Sequence, residues 1–167
     1  MAAARDAARA LGYDPVVVDE PVVGESRQAG PALVARSTRL AGPSGSYCVI
    51  SSGETTVSVR GAGRGGRNQE LALAAIPALA ALEWPTVLAS VGTDGVDGPT
   101  DAAGAIADSS SVARATAMAL SRDEALAAND SYAFFDRLGD LVRTGLTGTN
   151  VGDLQVLLGV RRNGHKD

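Results

Sequence analysis

The chain has 167 residues and a mass of 16.8 kDa, with 45% hydrophobic and 20% charged residues. That is enough apolar material for one core in one domain and too much for a disordered chain. A net charge of −4 and a pI near 5.0 leave no basic face for a nucleic acid or an anionic membrane surface. No apolar run reaches the roughly 18 residues of a membrane-spanning helix, and the expected location is cytoplasmic.

Three scarce residue types limit the chemistry further. The chain has one cysteine (Cys48), one histidine (His165) and one lysine (Lys166). Cys48 falls in an apolar run and reads as a small hydrophobe. A zinc site, a disulfide framework, a Ser-His-Asp triad and a Walker-type lysine therefore lack their residues. Arginine, aspartate, glutamate, hydroxyls, amides and backbone N–H groups remain.

In chain order, Met1 to Leu11 reads as an amphipathic helix closed by Gly12. No capping residue precedes it, so the chain is expected to start within a helix whose preceding sequence is absent. Pro15 to Val18 reads as a short strand, and Gly24 to Leu40 as a helix weakened at Pro31. Gly42 to Gly45 is a turn, and Tyr47 to Ile50 a buried strand leading into Ser51-Ser52-Gly53-Glu54-Thr55-Thr56.

The stretch from Thr55 to Leu82 then combines a β-rich run to Arg60, a glycine-dense turn over Gly61 to Gly66, and a long apolar helix opened by Arg67-Asn68-Gln69-Glu70. Pro77 is expected to kink that helix or split it. A strand-loop-helix junction of this kind aims backbone N–H groups and a helix dipole at one spot, which suits a phosphate or carboxylate. Arg67 stands at that spot with a planar fork able to hold an oxyanion by two parallel hydrogen bonds. Gly61, Gly63 and Gly66 also satisfy G-x-G-x-x-G, so a dinucleotide, with Asp94 on its ribose, is a second reading. Glu70 has an equally good reading as a carboxylate favoured by the helix dipole.

Thr86 to Val91 is apolar on both faces, as a parallel strand covered by helices would be. After it come Gly92-Thr93-Asp94-Gly95-Val96-Asp97-Gly98-Pro99-Thr100-Asp101-Ala102-Ala103-Gly104. Three aspartates and two threonines in one glycine-rich loop exceed what a turn needs. Asp94, Asp97 and Asp101 are candidate ligands for a hard cation, although their spacing is not that of an EF-hand. Helices are expected over Ser109 to Leu120, over Asp123 to Ala128 and after Asn129-Asp130-Ser131, with Phe134 and Phe135 in the core. A third polar loop, Thr144 to Asp153, leads to a last strand, Leu154 to Val160. The alternation predicts a single three-layer α/β/α domain over residues 1–167, with a mostly parallel, partly mixed sheet.

Gly65 to Glu70, the run from Gly92 to Ala105, and Thr147-Gly148-Thr149-Asn150-Val151-Gly152-Asp153-Leu154 resemble the signature blocks of the MOFRL domain. That is the C-terminal domain of glycerate 2-kinases, which also go by the name hydroxypyruvate reductase. Ser51 to Thr56 resembles a further block in which glycine usually stands at the position of Ser52. The resemblance implies ATP- and Mg²⁺-dependent phosphorylation of D-glycerate to 2-phosphoglycerate in a cleft shared with a Rossmann-like N-terminal domain. It implies Arg67 as the active-site arginine, with Gly65, Gly66, Asn68, Glu70, Ser52, Glu54, Thr93, Gly95, Asp97, Thr100, Thr147 and Asn150 around substrate and phosphates. Asp94 and Asp101 are implied at the metal. The family's functional lysine belongs to the N-terminal domain, so this chain is expected to be inactive alone and to need that domain or a separate subunit. A homodimer is a further expectation. The competing classes are an NAD(P)-dependent oxidoreductase and a non-catalytic binding module.

Overall fold

The computed structural model describes residues 1–42 and 45–161. The tip of the expected turn, at Pro43 and Ser44, lies outside the described residues, as do His165 and Lys166.

In chain order the elements are α1 (Ala2–Ala10), β1 (Pro15–Val17), β2 (Val22–Glu25), α2 (Ser26–Leu40), β3 (Gly45–Thr56), α3 (Arg67–Ala80) and β4 (Thr86–Gly92). They continue with β5 (Gly104–Asp108), α4 (Ser111–Ala117), α5 (Arg122–Ala128), α6 (Ser131–Leu138), β6 (Leu141–Val142) and β7 (Asp153–Arg161). The strands form one sheet in the order β1-β3-β7-β4-β5-β6, with β2 beside β3 beyond β1.

The α/β class and the mixed sheet agree with expectation, but the share of parallel pairing does not. Only β1 and β2 run parallel to β3, whereas the pairs β3–β7, β7–β4, β4–β5 and β5–β6 are antiparallel. The aspartate loop turns the chain straight back, so that β5 pairs with β4 without a helical crossover. Gly104-Ala105-Ile106-Ala107-Asp108 has one β-branched residue, too weak a signal for a strand without its partner in view. Similarly, Tyr47 to Ile50 and the six residues after it form one 12-residue strand, and residues 57–66 are irregular where a strand to Arg60 was expected. Neither Pro31 nor Pro77 ends its helix.

Side-chain alternation divides the core between the two faces of the sheet. On one face Tyr47, Val49, Leu88, Ala105, Ala107 and Leu157 pack with α2, α3 and the α4–α6 helices. On the other, Cys48, Ile50, Leu154, Val156 and Leu158 meet Ala8 of α1 and Tyr13. Cys48 is buried and its thiol is pushed up by that burial, so it behaves as core. The central helix is α3, buried from Asn68 to Ile76 and at Leu79. Gly30 of α2 lets this packing close up, because a Cβ there would run into the Leu71 carbonyl.

The glycines of the 61–66 loop act through close approach. A Cβ on Gly61, Gly63 or Gly65 would strike Ala128, Asp130 or Ser131 at the α5–α6 junction, and one on Gly66 would strike Asp97. The φ of Gly66 is −137°, which any residue adopts, so space alone requires glycine there. Gly66→Ala is expected to cost about 1–3 kcal/mol in urea denaturation. Wild-type stability in that variant would mean that the two loops part freely.

Candidate functional site

The site begins at the first turn of α3. A helix start leaves backbone N–H groups without partners, and no neighbouring side chain caps this one. The partner comes from 29 residues downstream: Asp97 Oδ1 accepts from the Asn68 N–H at 3.0 Å and the Asn68 amide at 3.3 Å, and Oδ2 accepts from the Gln69 N–H at 2.8 Å. Gln69 returns a side-chain bond to the Asp97 carbonyl at 3.2 Å and another to Thr100 Oγ1 at 3.0 Å. The Ser90 hydroxyl, on β4, donates to Asn68 Oδ1 at 2.7 Å. Asp97 is 2% exposed. Burial raises its carboxyl above the ordinary range, and the Asn68 and Gln69 N–H groups offset part of that rise. The anion seat expected at this helix end is thus filled by the protein's own carboxylate.

Arg67 extends from the same turn toward the end of the sheet. Its Nε and Nη2 donate to Asp153 Oδ2 and Oδ1 at 2.6 and 2.9 Å, a fork-to-fork pair with a buried carboxylate at the start of β7. Nη1 lies 3.2 Å from Glu54, whose side chain is 70% exposed while that of Arg67 is 35% exposed. Asp153 is the main cause of the raised Arg67 pKa. The Nε–Nη2 edge of the oxyanion clamp read from the sequence is therefore committed internally, and Nη1 is left to the exposed Glu54.

Beside Arg67 the loops 93–101 and 144–152 are tied together. Thr93 Oγ1 donates to the Gly152 carbonyl at 2.7 Å and accepts from the Val151 N–H at 2.9 Å. The Thr147 N–H donates to the Asp94 carbonyl at 3.1 Å, and its hydroxyl to the Thr93 carbonyl. Asp94 Oδ1 accepts from the Val96 N–H at 3.1 Å, and Oδ2 from the Asn150 amide at 3.4 Å. Gly95, at φ +90°, lets the Gly145 carbonyl sit where a Cβ would otherwise be. Although held at each of these points, residues 143–151 are all exposed, and so the site is an open face.

Arg67, Glu54, Thr93, Asp94, Gly95, Thr147 and Asn150 are thus at or beside this face. Asn68, Asp97, Thr100, Gly65 and Gly66 lie beneath it as scaffold. Glu70, 2% exposed, is held by Arg27 at 2.6 Å and by the Asn129 amide at 3.0 Å, away from the open face. Ser52 alternates onto the α1 side of the sheet with Cys48 and Ile50.

Asp101 is engaged elsewhere. It accepts from the Tyr132 hydroxyl at 2.6 Å and from Arg143 Nε at 3.2 Å, and Tyr132 is the main cause of its lowered pKa. No three Asp, Glu, His or Cys side chains converge as a metal cage among the described residues. In the loop of Gly61 to Gly66, the Gly61, Gly63 and Arg64 N–H groups bond Asn129 Oδ1, the Ala128 carbonyl and Asp130 Oδ1. These three N–H groups are not open to a dinucleotide pyrophosphate.

Sequence reading gave no role to Ser90, Tyr132 or Arg143, read Asn129 only as part of a helix cap, and placed Asp153 only at the end of a loop lining the cleft. Asp153 ended a recognised block, but nothing in the sequence tells which residue it faces 86 positions away.

The profile of the MOFRL family matches residues 47–153, which include every loop of this face. The chain belongs to the MOFRL family. It is 48% identical over 119 residues to a glycerate kinase of Danio rerio, covering 68% of this chain and 24% of the relative. A D-glycerate 2-kinase of Thermotoga maritima is 41% identical over 158 residues, 90% of this chain and 37% of the relative. The crystal structure of a Thermotoga maritima glycerate kinase superposes with a TM-score of 0.86 at 40% identity, covering 94% of this chain and 39% of that one. The MOFRL chain therefore spans between about a quarter and two fifths of these relatives' length. No described helix is long and apolar enough to cross a membrane.

Asp97 gives this MOFRL face a pH signature. Its folded pKa is raised above the unfolded value, so its contribution to stability is full below about pH 4 and is lost as pH rises through the folded pKa. The stability difference between wild type and Asp97→Ala is expected to widen as pH falls from 7 toward 4, read from thermal unfolding midpoints. A difference that narrows on acidification would contradict a raised pKa.

Proposed function

We propose that this chain supplies one wall of a glycerate 2-kinase site, acting in ATP- and Mg²⁺-dependent transfer of a phosphoryl group to the 2-hydroxyl of D-glycerate. The observation that carries this reading is the half-buried Arg67, whose Nη1 meets only the exposed Glu54 near the joined Asp94 and Asn150 loops, in a chain whose relatives are named glycerate kinases. Phosphoryl transfer asks a protein mainly to position groups and stabilise charge. In this reading Arg67 meets a phosphoryl oxygen, while Glu54, Thr93, Thr147 and Asn150 orient the hydroxyls and carboxylate of the acceptor.

Mg²⁺ accepts one or two carboxylates with water and phosphate completing its shell, and when bound it neutralises charge on the phosphates. Asp94 fits as one such carboxylate, being partly exposed at the open face. Asp101 does not fit, because Arg143 and Tyr132 already hold it.

The openness of the face and the share of the relatives that the chain spans support a composite site, completed by sequence from elsewhere. Product formation from Mg-ATP and D-glycerate, followed by phosphorus NMR, is expected to be absent for this chain alone and present when it is combined with the remaining portion of a 2-kinase relative. Turnover by the chain alone, proportional to its concentration, would remove the composite reading. In the combined enzyme Arg67→Ala is expected to lower kcat by roughly 10²–10³-fold in the folded fraction, and to lower the unfolding midpoint as well, because it leaves the buried Asp153 carboxylate without its partner. Full activity in that variant would take Arg67 out of the chemistry.

A further inference from the structure

Arg67 is the cationic side chain that the first turn of α3 brings to the open face, and how it is held decides what it can offer. Asp153 is 1% exposed and lies in the middle of the sheet, in register with Gly53 of β3 on one side and Gly92 of β4 on the other. Neither neighbouring strand places a side chain beside its carboxylate. The partner is equally constrained, since Arg67 opens the helix turn that Asp97 and Ser90 fix through Asn68 and Gln69. Both ends of the 2.6 and 2.9 Å pair are therefore anchored by the fold, which is the condition under which a buried ion pair specifies geometry. Glu54, by contrast, is largely exposed and meets only Nη1.

We propose that Asp153 is the positioning residue of this site: it takes the Nε–Nη2 edge of Arg67, so that an incoming oxyanion is directed to the Nη1 side of the guanidinium, in the place that Glu54 holds. This deepens the reading of Arg67 as the anion-binding group and rests on it. Two consequences separate it from a purely structural role. The Arg67 Nε–H should carry the signature of a carboxylate partner with or without ligand. Removing the carboxylate charge by Asp153→Asn should also raise the affinity for a bare oxyanion, because the guanidinium is then no longer neutralised by a buried anion.

The test uses the intact chain, labelled with ¹⁵N, with inorganic phosphate and D-glycerate as probes. In the free wild type the Arg67 Nε–H resonance is expected downfield and slow to exchange, and phosphate should leave it in place while shifting signals of the Glu54 and Asp94 segments. In Asp153→Asn that resonance should move to the position of a free arginine, and phosphate should bind roughly three- to ten-fold more tightly, as removal of a neighbouring negative charge requires. Asp153→Glu should restore part of the wild-type signature.

A free-arginine Nε–H signal in unliganded wild type, or one that phosphate displaces, overturns the positioning role while leaving Arg67 as an anion group. The wild-type spectra decide this even if the asparagine variant fails to fold. A wild type with the expected Nε–H signature but no response to either probe, together with an asparagine variant equally silent, overturns the anion reading on which the proposal rests.

Discussion

The bond that everything at this face depends on is the one between the Asp97 carboxylate and the first N–H groups of α3. A helix end with no local cap is an unsolved problem for the chain until a distant segment supplies an acceptor. Here the acceptor belongs to the aspartate loop, so capping the helix also fixes the loop. Gly66 and Gly98 make the approach possible, since a Cβ at either would collide with the opposite segment. The positive end of the helix dipole is consumed in holding the scaffold together, and binding is left to side chains.

The charge around Arg67 follows from the same economy of cations. One guanidinium faces Asp153 and Glu54 at contact distance, with Asp97 close enough to raise its pKa further. A cation so surrounded holds a phosphate only weakly by itself. It is well suited to contribute one oriented N–H edge to a site where other positive charge is brought in. That is why a composite site agrees better with this electrostatic balance than a self-contained one.

Polar burial accompanies this arrangement. Ser51, Gln155 and Ser90 lie side by side in register across β3, β7 and β4, each almost fully buried, and Ser90 bonds Asn68. Further along the same face the sheet turns apolar, through Val49, Leu157 and Leu88, to the Trp84–Tyr47–Thr86 hydrogen bonds at the far end. The domain thus has a polar end that positions and an apolar middle that stabilises, joined by α3 lying along both.

Helix positions, the buried β4 and β7 strands and the three glycine-rich loops were legible from the sequence, because spacing of apolar residues and turn composition are local properties. The blocks around Arg67, Asp94 and Asn150 were legible as well, since short runs of unusual composition carry them. Sheet direction was not, because the order β3-β7-β4 inserts the last strand between two earlier ones and no local pattern encodes that return. The fates of individual carboxylates were equally hidden. Asp97, Asp101 and Asp153 look alike in sequence, and only the tertiary structure makes one a helix cap, one a partner of Tyr132 and Arg143, and one the holder of Arg67. Sequence by itself determined which functional groups the protein owns and which loops carry them. Tertiary structure decided which of those groups are spent on one another, because a charged group's availability depends on partners 29 to 86 residues away and on the water that burial removes.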